Sequence, residues 1–392
     1  MAVGTAPAPA GPWTDHGPIV CQLDGSIDPA FARDEAGKPF LIWKEDGNSE
    51  HRPTPIWAQP LTEDLLHLTG DKTLLLVNNQ ESWEGGVVEA PYILRHDGRF
   101  YMFYAGNACC GTSCNYAEGV ARVDHLLGPW IKDPANPIVR PNGTWKCPGH
   151  GSAVSTPRGR DYFLYHAYPN IGSIYLGRES VLDEITWGDD GWPQINRGLG
   201  PGEAARGSSS AVIRDNFETP VTGHGWRWPA NHEPRTTTGG GKLSLWVGTD
   251  GLESFIALPT QASSYVAEVS VDGIGDAFGS LAVIGNTKHA TSLARRGSTI
   301  ELWDKQEPGD RKAIWHADVP VNVSITLRVD AGNGGRQLVY SYSTDRKNWI
   351  KAGDAIDVSR LPQRDQGLPV GLAADGVQGT RANFYRFSMH SK

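Results

Sequence analysis

Short apolar and aromatic runs, broken again and again by strong turn signals, constrain the fold of this chain more than any other feature. The runs at 40–44, 73–77, 92–95, 99–105, 119–123, 162–167 and 173–177 are separated by stretches such as DEAGKP, HDGR and TPRGRD. Runs this short, bounded by Gly, Pro and Asp, read as strands joined by turns rather than as helices. They recur in pairs at a loose spacing of about 50–70 residues, the rhythm of propeller blades. At 202–210 the sequence turns small and polar (GEAARGSSS) and reads as a linker. Beyond it, 242–247, 265–271, 299–303, 323–329, 337–343 and 384–389 alternate polar and apolar residues, the pattern of half-buried antiparallel strands. The expected fold is therefore all-β: a β-propeller over 11–205 followed by a β-sandwich over 212–392.

Charge narrows the choice of partner. A net charge of −8 argues against nucleic acid or an anionic membrane, since neither attracts an acidic protein. No window reaches the roughly 18 uninterrupted apolar residues of a membrane span. The 14 tryptophans suit a neutral carbohydrate, because a flat indole packs on the C–H face of a sugar ring. No signal peptide is visible at residues 1–9. Five cysteines (Cys21, Cys109, Cys110, Cys114, Cys147) leave at least one unpaired within the chain. The CCxxxC spacing is open to zinc ligation, a local loop disulfide or buried thiols.

Three segments carry candidate chemistry. In SIDPAF, Asp28 stands before a proline at a strand entry; in WEGGVVEAPY, Glu89 ends an apolar run just ahead of Pro91. Two carboxylates so placed suit glycoside hydrolysis, in which one carboxyl is kept protonated by burial or by a neighbouring negative charge and gives its proton to the leaving oxygen. Taken singly, either acid reads equally as a turn cap. The third segment, WKCPGHGSAV followed by YFLYHA, brings His150 and His166 onto consecutive strands.

With GPWTDHGPIV, SIDPAF…GKPFLIW, WEGGVVEAPYI, NYAEGVARV…GPW, CPGHGSAV, YFLYHAY and GRESVLDEITWGDDGWP in this order, the chain resembles glycoside hydrolase family 43 over about 11–196. The resemblance implies a five-bladed propeller, here with its first blade truncated, and inverting, exo-acting release of arabinofuranose or xylose from hemicellulose such as arabinoxylan or arabinan. It implies Glu89 as general acid and Asp28 as the acid that tunes and holds the donor. His150 matches a histidine beside a structural calcium ion whose shell is mostly water, and no organic cofactor is implied. Arg178 matches a substrate-contacting position, and Phe31 and Trp83 match walls of the sugar pocket, with plain packing an equal alternative. The family's general base, an Asp on the first blade, finds no counterpart in the 27 residues before Asp28. Hydrolysis then needs a partner supplying the missing blade or a relocated acid; otherwise the chain is a catalytically impaired carbohydrate-binding protein or fragment. Residues 215–218, 226–229 and 341–349 resemble the concanavalin-like sandwich that follows the propeller in family xylosidases and arabinofuranosidases, with Trp226 and Trp228 as core or sugar platform. A plant polysaccharide substrate implies a secreted or periplasmic location.

Overall fold

The computed structural model describes residues 1–392 except 112, 171–172, 204–211, 230–231, 249–253, 261, 275, 287, 306–310 and 362–366. Most of the linker expected at 202–210 lies outside the described residues. The chain divides into two compact units, Met1–Asn170 with Glu179–Ala205, and Ile171–Arg178 with Arg206–Lys392.

The first unit is a succession of antiparallel meanders. Strands β1 (Ala2–Thr5) and β2 (Thr14–Pro18) form a two-stranded sheet, so this unit starts earlier than the expected residue 11. A four-stranded sheet follows, made of β3 (Ser26–Arg33), β4 (Pro39–Glu45), β5 (Ile56–Pro60) and β6 (Thr73–Leu76). The next comprises β7 (Val88–His96), β8 (Arg99–Gly106), β9 (Ala117–Val123) and β10 (Ile131–Lys132). The last comprises β11 (Trp145–Ser155), β12 (Asp161–Pro169), β13 (Glu179–Trp187) and β14 (Pro193–Ile195). Three four-stranded blades and a two-stranded sheet thus stand among the described residues.

Period-two alternation explains how the blades stack. Along β8, Phe100, Met102 and Tyr104 enter one core cluster with Phe40, Ile42, Ile56 and Val88, while Tyr101 and Phe103 enter another with Trp145, Phe163 and Tyr165. Both faces of β8 are buried, so the strand reads as a continuous aromatic run. Each such side chain contributes about 1.5–3 kcal/mol by leaving water.

The expected strand at 173–177 is instead one helical turn, Ser173–Leu176. The β12–β13 register closes at Ala167↔Glu179, which leaves the intervening residues as a connection. Leu368 N–H donates to Tyr175 O, and the Tyr175 ring packs on the core of the second unit. Arg178, at the end of this segment, therefore belongs to the second unit by its contacts.

The second unit is a sandwich of a nine-stranded and a six-stranded sheet around one core that includes Leu281, Leu293, Leu327, Tyr340 and Phe384. Its first strand, Val212–Asp215, pairs with the last, Arg381–Ser391. Trp226 lies inside, its Nε1 donating to Asp215 Oδ2 at 2.8 Å and its ring edge-on to Phe387. Trp228 packs partly buried against the same core. Trp226 is thus a core residue, while Trp228 keeps a partly exposed face.

Candidate active site

The same local device places the three sequence-derived polar residues. On β3, β7 and β11, the first strand of each blade, the ladder register slips at 27/30, at 89/92, and twice between 146 and 152. The residue before a proline at each slip has a left-handed backbone: Asp28 at φ 54°, Ala90 at φ 54° and Cys147 at φ 52°. Proline has no N–H to give to a ladder, so it belongs at a bulge, and a bulge re-aims the adjoining side chains. Strand β7 packs against both β3 and β11, which brings the three bulges together.

Glu89 is the hub. Its Oε2 accepts from Lys44 Nζ at 2.8 Å and its Oε1 from the Tyr116 hydroxyl at 2.6 Å. Lys44 also donates to Asp46 Oδ1 at 2.8 Å and Asn48 Oδ1 at 2.9 Å, and its side chain is only 1% exposed. Burial works against the Lys44 charge, but Glu89 and Asp46 outweigh it and hold the ammonium above its ordinary value. Burial, and then the Glu89 charge, push the Tyr116 phenol well up, so it stays a donor. Both Glu89 oxygens are thus held in place, Oε2 by an ammonium and Oε1 by a phenol hydroxyl.

Asp28 ties the first blade to the second. Its Oδ2 accepts the backbone N–H of Ala90 at 2.9 Å, fixing the bulge that carries Glu89. Burial lifts the Asp28 carboxyl above its ordinary value and the Glu89 charge adds to this, while His150, the Ala90 N–H and Lys44 pull the other way. His150 has a left-handed backbone at φ 57°, and its ring lies 6.1 Å from that of His166.

The glycines around His150 make room for this arrangement. A Cβ on Gly149 would fall 2.4 Å from the Tyr116 ring, and one on Gly151 2.0 Å from the Phe163 ring. Gly149 therefore leaves the space in which Tyr116 reaches Glu89, and Gly151 the space for Phe163.

Glu89 opens into a cavity of about 710 Å³, within the usual size of a small-ligand site. Polar side chains of Asn48, His51, Arg52, Gln80 and Asn107 line it, together with Val87, Ala108, Cys109 and Cys110. Among the described lining residues Glu89 is the one acid. Phe31 is 48% exposed on β3 beneath the Arg33 guanidinium and does not line this cavity. Trp83 is a packing residue: its ring covers Gly106 and Gly119, where a Cβ would come within 2.7 and 2.5 Å of it, and it too is absent from the lining.

The cysteines pair as Cys109–Cys110 and Cys114–Cys147, leaving Cys21 free and exposed. No cluster of three or more His, Cys, Asp or Glu side chains able to hold a metal ion occurs among the described residues. A calcium ion at His150 would take most of its shell from water, and no step is routed through one. Sequence reading passed over Lys44 and Tyr116. Lys44 had a signal, a cation inside the apolar run PFLIWK; Tyr116 stands in the motif NYAEGVARV, where nothing local sets it apart from a core aromatic.

Residues 1–193 match the model of glycosyl hydrolases family 43, and 214–390 match the β-xylosidase C-terminal concanavalin A-like domain. The chain belongs to glycoside hydrolase family 43, whose propeller is five-bladed, and carries the family's C-terminal sandwich. It is 30% identical over 210 residues to a xylosidase/arabinosidase of Butyrivibrio fibrisolvens, covering 50% of this chain and 38% of that protein. It is 27% identical to xylosidase/arabinosidase 43B of Humicola insolens, over 96% of this chain and 76% of that one. The chain thus spans well under half of the first relative and about three quarters of the second. Among solved structures, a variant of the family-43 protein BlXynB from Bacillus licheniformis superposes with a TM-score of 0.78 at 22% identity, covering 100% of this chain and 79% of that one.

Proposed function

We propose that this chain bears the general acid of an exo-acting, inverting glycosidase that releases a terminal arabinofuranose or xylose from hemicellulose such as arabinoxylan or arabinan. The observation that carries the reading is Glu89: a carboxyl oriented by Tyr116 and Lys44 at the wall of a sugar-sized cavity. Two relatives that bear the name xylosidase/arabinosidase support the pentose. Glu89 gives a proton to the glycosidic oxygen as the bond to the anomeric carbon breaks; water adds to the opposite face and loses its proton to a base. Inversion needs that base roughly 6.5–9.5 Å from the acid. In this proposal it is a carboxylate from outside the described lining, brought by a further segment or a partner chain. A polymeric plant substrate places the protein outside the cytoplasm, secreted or periplasmic.

The single acid in the lining favours a second reading, a carbohydrate-binding protein without turnover. Xylobiose, arabinobiose and the two p-nitrophenyl pentosides separate the two. Under the first reading, wild type hydrolyses the disaccharides and Glu89→Gln slows them by about 10²–10⁴-fold. The loss on p-nitrophenyl pentosides is smaller, because p-nitrophenolate leaves without a proton. Calorimetric binding with no reducing sugar formed establishes the second reading; neither binding nor turnover rejects both.

A further inference from the structure

The cavity has an unusual wall. Carbohydrate sites place a flat aromatic ring against the C–H face of the sugar. Among the described residues lining the Glu89 cavity there is no Phe, Tyr or Trp, and the two aromatics expected as walls lie elsewhere. Its apolar surface comes from Val87, Ala108 and the Cys109–Cys110 disulfide, and Asn48, His51, Arg52, Gln80 and Asn107 line the same cavity.

The two disulfides have different jobs by topology. Cys114–Cys147 spans 33 residues and ties the loop after β8 to β11, a long closure of the kind that stabilises a fold. Cys109–Cys110 joins adjacent residues, so it closes no loop of chain and restrains nothing beyond its own turn. The same loop is also held by the Asn115 N–H, which donates to Ala108 O. What the vicinal bridge changes is local: two thiol donors and their torsions become one stiff, polarizable surface without N–H or O–H groups.

We propose that the Cys109–Cys110 disulfide is the apolar platform of the Glu89 cavity, standing where an aromatic ring would, and that it determines affinity for a terminal pentose. The inference rests on the functional reading given above and deepens it. Its surface serves the C–H face of a ring whose hydroxyl edge meets the polar residues of the same cavity. Cleavage by a phosphine breaks the S–S bond and gives two thiols, while the phosphine becomes its oxide with oxygen and protons from water. The platform is then a pair of freely turning thiols.

The test is calorimetric titration of xylobiose and arabinobiose into wild type, Cys109→Ala/Cys110→Ala, and wild type treated with limiting phosphine, with thiols then mapped by alkylation and mass spectrometry. Expected is a roughly 10-fold weaker Kd in the double variant and in protein reduced at Cys109 and Cys110 alone, with Tm held within about 2 °C. Equal affinity within twofold overturns the platform and leaves the glycosidase reading standing. So does finding Cys109 and Cys110 as free thiols in untreated protein that binds. A large fall in Tm on selective reduction assigns the bridge to the fold and also overturns it. If wild type binds neither sugar, both readings fall together.

Discussion

Replacing Lys44 by Met tests the ion-pair hub. The ammonium is 1% exposed and donates to Asp46, Asn48 and Glu89 at 2.8, 2.9 and 2.8 Å, while the Glu89 side chain is 14% and that of Asp46 32% exposed. Methionine keeps most of the volume but leaves two carboxylates facing a space that held their counter-charge. Breaking a buried pair from one side costs about 3–5 kcal/mol. The partial exposure of Asp46 lets water relax that partner, so the lower end, about 3 kcal/mol, is expected. At roughly 2–4 °C per kcal/mol for a unit of this size, the melting transition of the first unit falls by ~6–12 °C. Two units need not melt together, so the assay is calorimetry, which resolves separate transitions. In Lys44→Met/Glu89→Gln one of the stranded charges is gone, and part of the loss, ~1–2 kcal/mol, returns as a coupling energy. A shift below ~2 °C in Lys44→Met, or strict additivity in the double variant, would refute the hub.

Two further perturbations probe its supports. Gly149→Ala drives a Cβ to 2.4 Å from the Tyr116 ring, so overpacking costs about 1–3 kcal/mol and pentose affinity falls as the hydroxyl leaves Glu89; an additional Tyr116→Leu restores much of the Tm, and an unshifted Tm in Gly149→Ala contradicts the packing. Asp28, lifted by burial above its ordinary value of 3.8 in the folded protein, makes the folded state bind more protons than the unfolded one between 3.8 and its folded value. Stability therefore drops as pH rises through that window, and the deficit persists above it. Asp28→Asn, whose amide oxygen still accepts the Ala90 N–H, is expected to be more stable than wild type at neutral pH, with the difference vanishing below pH 3.8; urea unfolding from pH 3 to 7 shows it, and a variant weaker at neutrality reverses the sign.

The strands were legible because alternation and turn chemistry are local. In β8 both periods of two end in buried aromatics, and the run at 99–105 announces itself. The segment 173–177 carries the same kind of apolar residues, yet its role is set by the β12–β13 hairpin on either side and by the surface Tyr175 packs on, both matters of distant chain. Trp83 shows the same limit from the other side. Its neighbourhood in sequence is that of Glu89, but the space its ring fills is set by Gly106 and Gly119 on two other strands. Cysteine counting foretold at least one unpaired thiol and could go no further, since pairing Cys114 with Cys147 requires knowing that the loop after β8 meets β11.

The acids at 28 and 89 were legible for a reason that the bulges now supply. A proline following directly, or one residue later, marks the place where a blade's first strand breaks register, and the residue before it takes a left-handed backbone in all three blades. Such a conformation costs a non-glycine residue about 1–3 kcal/mol and persists only where surrounding contacts over-determine it. Those contacts are visible for the second blade: Asp28 accepts the Ala90 N–H that the broken ladder would leave bare, and Val88 N–H is taken by Thr54 Oγ1 at 2.7 Å. Strain on one blade is thus relieved by a side chain from its neighbour. A change that removes the proline without restoring the ladder donor's partner should loosen not one strand but the seam between two blades, and the acid that sits on that seam moves with it.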